Sequence, residues 1–290
     1  MIISRLIGGL GNQMFQCAAG RRAAYSNNAI LKLDITGYKN QKGLTPRKYM
    51  LNIFNIQENF ASETEINKLK KNTFTQKVLK SIHPVFFNNS YIKEKHFHFD
   101  PDILKISDSS CLEGYWQSEK YFKDIEKIIH KEFTFKHKLD AANRKTISRI
   151  KNCDSVSIHI RRGDYVSNKQ INTFHGICDL DYYNQAIEYV ASKIKSPYFF
   201  VFSDDIQWTK QNLILKYPCA YVDHNIGKKD YEDMRLMSMC KHNIIANSSF
   251  SWWGAWLNRN PNKIVIAPKK WFKNKSINTK DLIPQSWIKI

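Results

Sequence analysis

The chain has 290 residues, 42% of them hydrophobic and 24% charged, with a formal net charge of +19 at pH 7, which is enough for one large or two modest domains of ordinary globular composition. No stretch approaches the ~18 consecutive apolar residues of a membrane-spanning helix, and the apolar run in MIISRLIGGLGNQMF is too short and glycine-broken for a signal peptide, so the expectation is a cytoplasmic protein. Cys17, Cys111, Cys153, Cys178, Cys219 and Cys240 form no CxxC pair and no regular framework, which argues against structural zinc and a disulfide scaffold.

Taken in chain order, the first predicted element is a strand, Ile2–Ile7, followed by a glycine-rich turn, a helix over Asn12–Asn27 and a strand Ala29–Asp34. That is a unit of the kind that builds parallel sheets. Residues 40–110 alternate polar stretches with aromatic ones (Phe86-Phe87, His96 to Phe99) and read as helices and loops. Beyond the polar stretch Lys145–Cys153 the alternation becomes regular. Strands are predicted at Ser155–Ile160, Tyr198–Phe202, Ala220–Val222, Asn243–Ala246 and Lys263–Ala267, with helices at Asp181–Ile194, Asp205–Tyr217 and Asp230–Cys240. The reading is α/β with two Rossmann-like domains facing a cleft, residues 1–150 and 151–290.

Four constellations carry chemistry. Gly8-Gly9-Leu10-Gly11-Asn12-Gln13 sits between a strand and a helix, where glycines let backbone approach an anion and the helix start offers unpaired N–H groups. It lacks the spacing of GxGxxG and of the P-loop, and it reads equally as a tight turn with Asn12 as helix N-cap. In the second, Ser157-Ile158-His159-Ile160-Arg161-Arg162-Gly163-Asp164-Tyr165, apolar and polar residues alternate along the strand and put His159 and Arg161 at its carboxyl end. Open α/β sheets bind ligands there, and an arginine grips phosphate oxygens through a planar fork that Asp164 could hold in place. The bland alternative is a surface salt-bridge cluster.

The third is Ser203-Asp204-Asp205: two carboxylates that could bind a divalent cation, cap the next helix, or hydrogen-bond a nucleoside. The fourth runs from Asp233-Met234-Arg235 to Asn247-Ser248-Ser249-Phe250-Ser251-Trp252-Trp253, where a strand leads into a helix whose start collects hydroxyls and N–H groups suited to pyrophosphate. The two tryptophans read as packing.

At these places, and at FHFDPDIL (Phe97–Leu104) and GYWQSEKYF (Gly114–Phe122), the sequence resembles the bacterial members of glycosyltransferase family 11, the α-1,2-fucosyltransferases. GGLGNQMFQ, SIHIRRGDY, FSDD and HNIIANSSFSWWGAWLN are the matching runs, and residues 40–90 resemble the family least. The resemblance implies a GT-B-like fold and inverting transfer of L-fucose from GDP-fucose to a galactose-terminated acceptor in surface glycan synthesis. It implies no metal and no other cofactor. By the same resemblance Arg161 grips the β-phosphate, His159 lies near the donor, and Asn12 beside Gly11 reaches the fucose or leaving phosphate. Asp233 contacts the nucleoside, Asn247, Ser248, Ser249, Phe250 and Ser251 form the phosphate turn, and Asp204 joins them on the donor side. A general base is left open between Asp164 and Glu113.

The lysines are spread along the chain, as in Lys68–Lys71 and Lys269–Lys275. That pattern fits a solvated basic surface or a peripheral contact with the anionic inner face of a membrane. Another sugar-nucleotide glycosyltransferase is the nearer competing reading, and a basic nucleic-acid-binding protein is the competing non-enzyme class, but no RNP-like motif or zinc finger supports the latter, so nucleic acid is not an expected partner.

Overall fold

The computed structural model describes residues 1–39, 41, 45–70 and 90–290. By backbone contacts the chain forms two compact units, Met1–Lys136 with Asn278–Leu282, and His137–Ile277 with Ile283–Ile290.

The first unit is built on a four-stranded sheet with strand order β2-β1-β4-β3. Its strands are β1 (Ile2–Arg5), β2 (Leu31–Asp34), β3 (Tyr91–Lys93) and β4 (Ser110–Glu113), all paired in parallel. Ile2, Ile3 and Ser4 are fully buried, as a central parallel strand requires. After β1 the chain reverses through Gly8, at φ +77, a conformation glycine adopts without a side-chain clash. The helix Leu10–Ser26 then crosses to β2 and buries Ala18, Ala19, Ala23 and Ala24, small residues that permit close packing.

Two expectations are corrected here. The helix starts at Leu10 with Gly9 at the N-cap position, so Asn12 lies inside the first turn and is not the cap. Residues 40–110 contain β3 and the start of β4 as well as helix and loop. Strands this short, with Ile92 half-buried and Lys93 exposed, carry no apolar run or alternation long enough to read. Phe86 and Phe87 lie outside the described residues, as does Lys71.

The second unit carries a six-stranded parallel sheet of order β10-β9-β8-β5-β6-β7. The strands are β5 (Asp154–Ile160), β6 (Pro197–Ser203), β7 (Cys219–Val222), β8 (His242–Ile244), β9 (Val265–Ala267) and β10 (Ile288–Lys289). Its core joins Val156, Ile158 and Ile160 of β5 to Phe199 and Val201 of β6, under Tyr182, Tyr183, Ala186 and Val190 of the helix Leu180–Lys193. The expected helix Asp205–Tyr217 spans only Ile206–Asn212, because Leu213 leaves it to bury in the core. Ser155, Ser157 and His159, the polar side of β5, are also buried. Lys241 N–H donates to Ser155 Oγ at 3.0 Å and Asn243 Nδ2 to Ser157 Oγ at 2.7 Å, so the alternation reflects internal hydrogen bonding.

The strand order fixes where a ligand belongs. From β5 the chain runs outward to β6 and β7, then returns to place β8 on the other side of β5. The direction changes between β5 and β8, and the carboxyl ends of those two strands form the crevice that open α/β sheets use.

Candidate functional site

Arg161 stands at that crevice, one residue past β5. Its Nη2 contacts Asp164 Oδ1 at 2.5 Å and its Nη1 contacts Asp204 Oδ2 at 2.7 Å, so one guanidinium is held between two carboxylates. Burial pulls the Arg161 pKa down, but Asp204 and Asp164 outweigh it and the group sits above the usual arginine value. The ring of Tyr165 lies 5.3 Å from its guanidinium carbon, and the Tyr165 hydroxyl donates to the carbonyl of Asn247 at 3.4 Å. Local sequence explains the clamp. The turn after β5 passes over Asp204 at the end of β6, and Gly163 is the residue at closest approach, where a Cβ would lie 2.4 Å from Asp204 Oδ2.

Arg162 points elsewhere. Its backbone N–H donates to Asp204 Oδ1 at 2.8 Å, its Nε meets Asp205 at 3.2 Å, and its guanidinium carbon stacks 3.4 Å from the Trp208 ring. Asp205 also accepts from Trp208 N–H at 3.3 Å, capping the Ile206–Asn212 helix. Both aspartates of the Ser-Asp-Asp run are therefore engaged by arginines. Among the described residues no group of three or more His, Cys, Asp and Glu side chains is placed to hold a metal ion.

His159 is buried, its ring 5.7 Å from that of Phe250, while Tyr183 donates to its carbonyl at 3.1 Å. Burial, reinforced by Arg161, lowers its pKa to about 3, so the imidazole is neutral at physiological pH. Its Nδ1 is buried without a hydrogen-bond partner among the described residues.

Across the crevice, Ser248 caps the helix Ser249–Leu257 by accepting from Phe250 N–H at 3.3 Å, and Ser251 donates back to the Ser248 carbonyl at 3.3 Å. Asn247 turns its side chain inward: Nδ2 donates to the carbonyls of His175, Gly176 and Trp271, which ties the 175–176 turn and the Trp271 segment to the loop after β8. Trp252 and Trp253 are fully buried and pack edge-on at 5.1 Å, the packing role expected of them.

Asp233 belongs to a different polar network. It accepts from Asn225 Nδ2 at 2.9 Å, and Asn225 exchanges hydrogen bonds with Asn143 at 2.8 and 3.0 Å. His224 Nε2 lies 3.1 Å from Asn143 Oδ1. Burial raises the Asp233 carboxyl to about 8 against the opposing Asn225 hydrogen bond, so it is largely protonated at neutral pH.

In the first unit, the glycine turn is tied down by the helix that follows it. Gln13 Nε2 donates to the carbonyls of Gly8 and Lys48, and its Oε1 accepts from Met50 N–H. Gln16 accepts from Ile7 N–H at 3.0 Å. Gly11 is buried in the first turn, and Asn12 accepts from Gln117 Nε2 at 2.8 Å. Glu113, at the end of β4, is held by Arg5 at 2.9 Å and by the Tyr91 hydroxyl at 2.5 Å. With both oxygens engaged it serves to fix Arg5, which leaves it poorly placed to accept a substrate proton.

Sequence reasoning passed over Tyr165, Gln117 and His175. Tyr165 and Gln117 lie inside the SIHIRRGDY and GYWQSEKYF motifs, so position was available as a signal, but their hydrogen-bond partners, Asn247 and Asn12, are distant in sequence.

Compared with known proteins, the chain matches the model of the family described as "Glycosyl transferase family 11" over residues 3–290. It is 38% identical to an "Alpha-1,2-colitosyltransferase" of Escherichia coli, across 100% of this chain and 99% of that protein. It is 35% identical to the "O-antigen biosynthesis glycosyltransferase WbnK" of Escherichia coli, across 99% of each. A "Galactoside alpha-(1,2)-fucosyltransferase 2" of Sus scrofa shares 23% identity over 58% of this chain and 50% of its own length. Among solved structures, an Arabidopsis thaliana FUT1 mutant in complex with GDP aligns with 99% of this chain and 75% of its own at 12% identity and a TM-score of 0.51, which supports a shared GT-B fold. With its family model matched almost from end to end, the chain belongs to glycosyltransferase family 11.

Proposed function

We propose that this glycosyltransferase moves L-fucose from GDP-fucose to the 2-hydroxyl of a galactose-terminated glycan, with inversion, making an α-1,2 linkage in surface glycan synthesis. The observation that carries the reading is the Arg161 clamp: a guanidinium fixed by Asp164 and Asp204 at the switch point of a parallel sheet. As the bond from fucose C1 to the phosphate oxygen stretches, negative charge grows on the β-phosphate and the sugar becomes oxocarbenium-like. Oriented N–H donors of Arg161 and the start of the Ser249–Leu257 helix stabilise that charge more in the transition state than in the ground state. Arg161 and Arg162 face Asp164, Asp204 and Asp205, so the cluster has no surplus positive charge. Directed donors, rather than local net charge, bind the diphosphate. Asp164 acts as the orienting partner of Arg161, neutral His159 packs near the donor, and Asn12 offers an amide to the fucose or leaving oxygen. Asp233 contributes to the nucleoside side, and no metal is required. The basic surface supports peripheral contact with an anionic inner membrane face from the cytoplasm; among the described residues no helix is long and apolar enough to cross a membrane.

A second donor reading has specific support, the 38% identity to an α-1,2-colitosyltransferase. Colitose is fucose without its 3-hydroxyl. A site built to hydrogen-bond that hydroxyl rejects the deoxy sugar by a factor of about 10⁴, whereas an apolar pocket rejects the extra hydroxyl by only about 10². The test is to offer GDP-fucose and GDP-colitose in parallel with a panel of galactose-terminated acceptors and to read product linkage by NMR. Efficient α-1,2 transfer of fucose supports the proposal. Efficient transfer of colitose with fucose disfavoured replaces the donor, and transfer of neither sugar contradicts the reading.

A further inference from the structure

The segments FHFDPDIL and GYWQSEKYF resemble their family without any role following from the resemblance, yet the fold welds them into one body. Asp100 N–H donates to the Tyr121 hydroxyl at 2.9 Å, Phe99 packs on Tyr121 at 4.9 Å, and Trp116 meets Tyr121 edge-on at 5.6 Å. At the centre of this body the backbone is strained. Trp116, only 1% exposed, has φ +54, a conformation that strains a bulky residue and persists only where the surroundings impose it. Glu94 imposes it. Its two carboxylate oxygens accept from the N–H groups of Tyr115 at 2.7 Å and Trp116 at 3.0 Å, while the Trp116 carbonyl accepts from Ser118 N–H at 2.8 Å.

The residue this turn delivers is Gln117, 7% exposed, whose Nε2 donates to Asn12 Oδ1 at 2.8 Å. Engaging the oxygen of the Asn12 amide fixes which end points where. The Nδ2 end then lies against the glycine turn, close enough that a Cβ on Gly8 would sit 2.6 Å from it. Gly8, at φ +77, leaves that space open.

We propose that Gln117 is a positioning residue, held by the Glu94-locked turn at Trp116, that orients the Asn12 amide so that its N–H donors face the glycine turn where the donor's sugar or phosphate oxygen is bound. The proposal rests on the reading of Asn12 as a donor-contacting residue. It gives the strained turn a role, since a half-buried amide with a choice of two orientations is set to the donating one.

The test is a double-mutant cycle on the full chain, with donor and acceptor kinetics and melting temperatures for every variant. Gln117→Met keeps the shape and removes the donor. Gln117→Glu keeps the shape and substitutes an acceptor, which favours the opposite amide orientation. Both are expected to lower kcat by about tenfold to a hundredfold, the scale of a small misplacement at a reacting centre, with KM for the donor within about twofold and Tm near that of the parent. In the Asn12→Ala background the same substitutions are expected to cost nothing further, because the group they position is gone. Glu94→Gln, which loosens the turn without touching Gln117, should repeat the pattern and serves if the Gln117 variants fold poorly. Equal proportional losses with and without Asn12, or parental kcat in the Gln117 and Glu94 variants while Asn12→Ala is impaired, would overturn the positioning role alone. Parental turnover in Asn12→Ala would overturn the reading of Asn12 and this inference together.

Discussion

Gly163 and Asp204 are in contact across the end of the sheet: a methyl group on Gly163 would lie 2.4 Å from Oδ2 of Asp204, the oxygen that holds Arg161. Gly163→Ala is therefore expected to displace the Asp204 carboxylate and release one side of the clamp. Turnover should fall by about tenfold or more, as expected when an oriented donor is misplaced at a developing anion. Donor titration and kcat on the purified variant check this, and kcat equal to the parent's would show that the clamp tolerates loss of Asp204.

Arg162 offers the contrasting case. Stacking on Trp208 at 3.4 Å and pairing with Asp205 at 3.2 Å make it a brace for the Ile206–Asn212 helix. Arg162→Lys keeps the charge and loses the planar stack, a cost of about 1 kcal/mol. For a chain of this size that lowers Tm by roughly 2–4 °C. Calorimetry should find that drop with kcat changed less than about threefold, and a large kcat loss would assign Arg162 to the donor instead.

Much of the strand–helix alternation of the second unit was legible because β6 and β9 are apolar runs and β5 alternates apolar with polar residues, whereas the two-residue β10 gave no pattern to read. Arg161 and His159 alone pointed to the carboxyl end of β5, and the structure puts that end at the switch point between β5 and β8. The clamp on Arg161 was half legible: Asp164 is three residues away, but Asp204 arrives from β6, and only the β5–β6 register brings it there. Asn247 shows the opposite failure. A polar residue at a helix start reads as ligand-facing, and here its amide binds three backbone carbonyls from loops invisible to local pattern. The strands Tyr91–Lys93 and Ser110–Glu113 were missed because they are short, and their stability comes from pairing rather than from propensity.

Asp233 sets a pH dependence. Burial holds its folded-state carboxyl near 8, far above the usual aspartate value of 3.8, so between those limits the folded chain keeps a proton that the unfolded chain has released. Its contribution to stability is complete in acid and is lost as pH rises toward 8, at about 1.4 kcal/mol per pH unit. Asp233→Asn should gain Tm over the parent as pH goes from about 6 to 8, with the Asn225 hydrogen bond still accepted by the amide oxygen. Parallel Tm curves for the two proteins would show that Asp233 is ionised in the fold.

Chelation tests the absence of a metal requirement. Asp204 and Asp205, the adjacent pair best suited by sequence to a cation, are each bound to an arginine. If directed N–H donors alone stabilise the leaving phosphate, turnover after exhaustive dialysis against EDTA is expected within about twofold of the untreated enzyme. Loss of turnover that manganese restores would contradict it.

Whether Arg161 grips the leaving phosphate is decided by kcat of Arg161→Lys measured beside its melting temperature. Lysine retains the charge, so attraction to the donor persists, but the planar fork that spans Asp164 and Asp204, and through which the proposal has a phosphate held, is gone. The expected result is a kcat loss of about a hundredfold to a thousandfold, the cost of removing one oriented donor from a developing anion, with Tm close to that of the parent. Near-parental kcat, or collapse of the fold, would show that Arg161 is a structural ion-pair partner of the two aspartates and that the phosphate is held elsewhere.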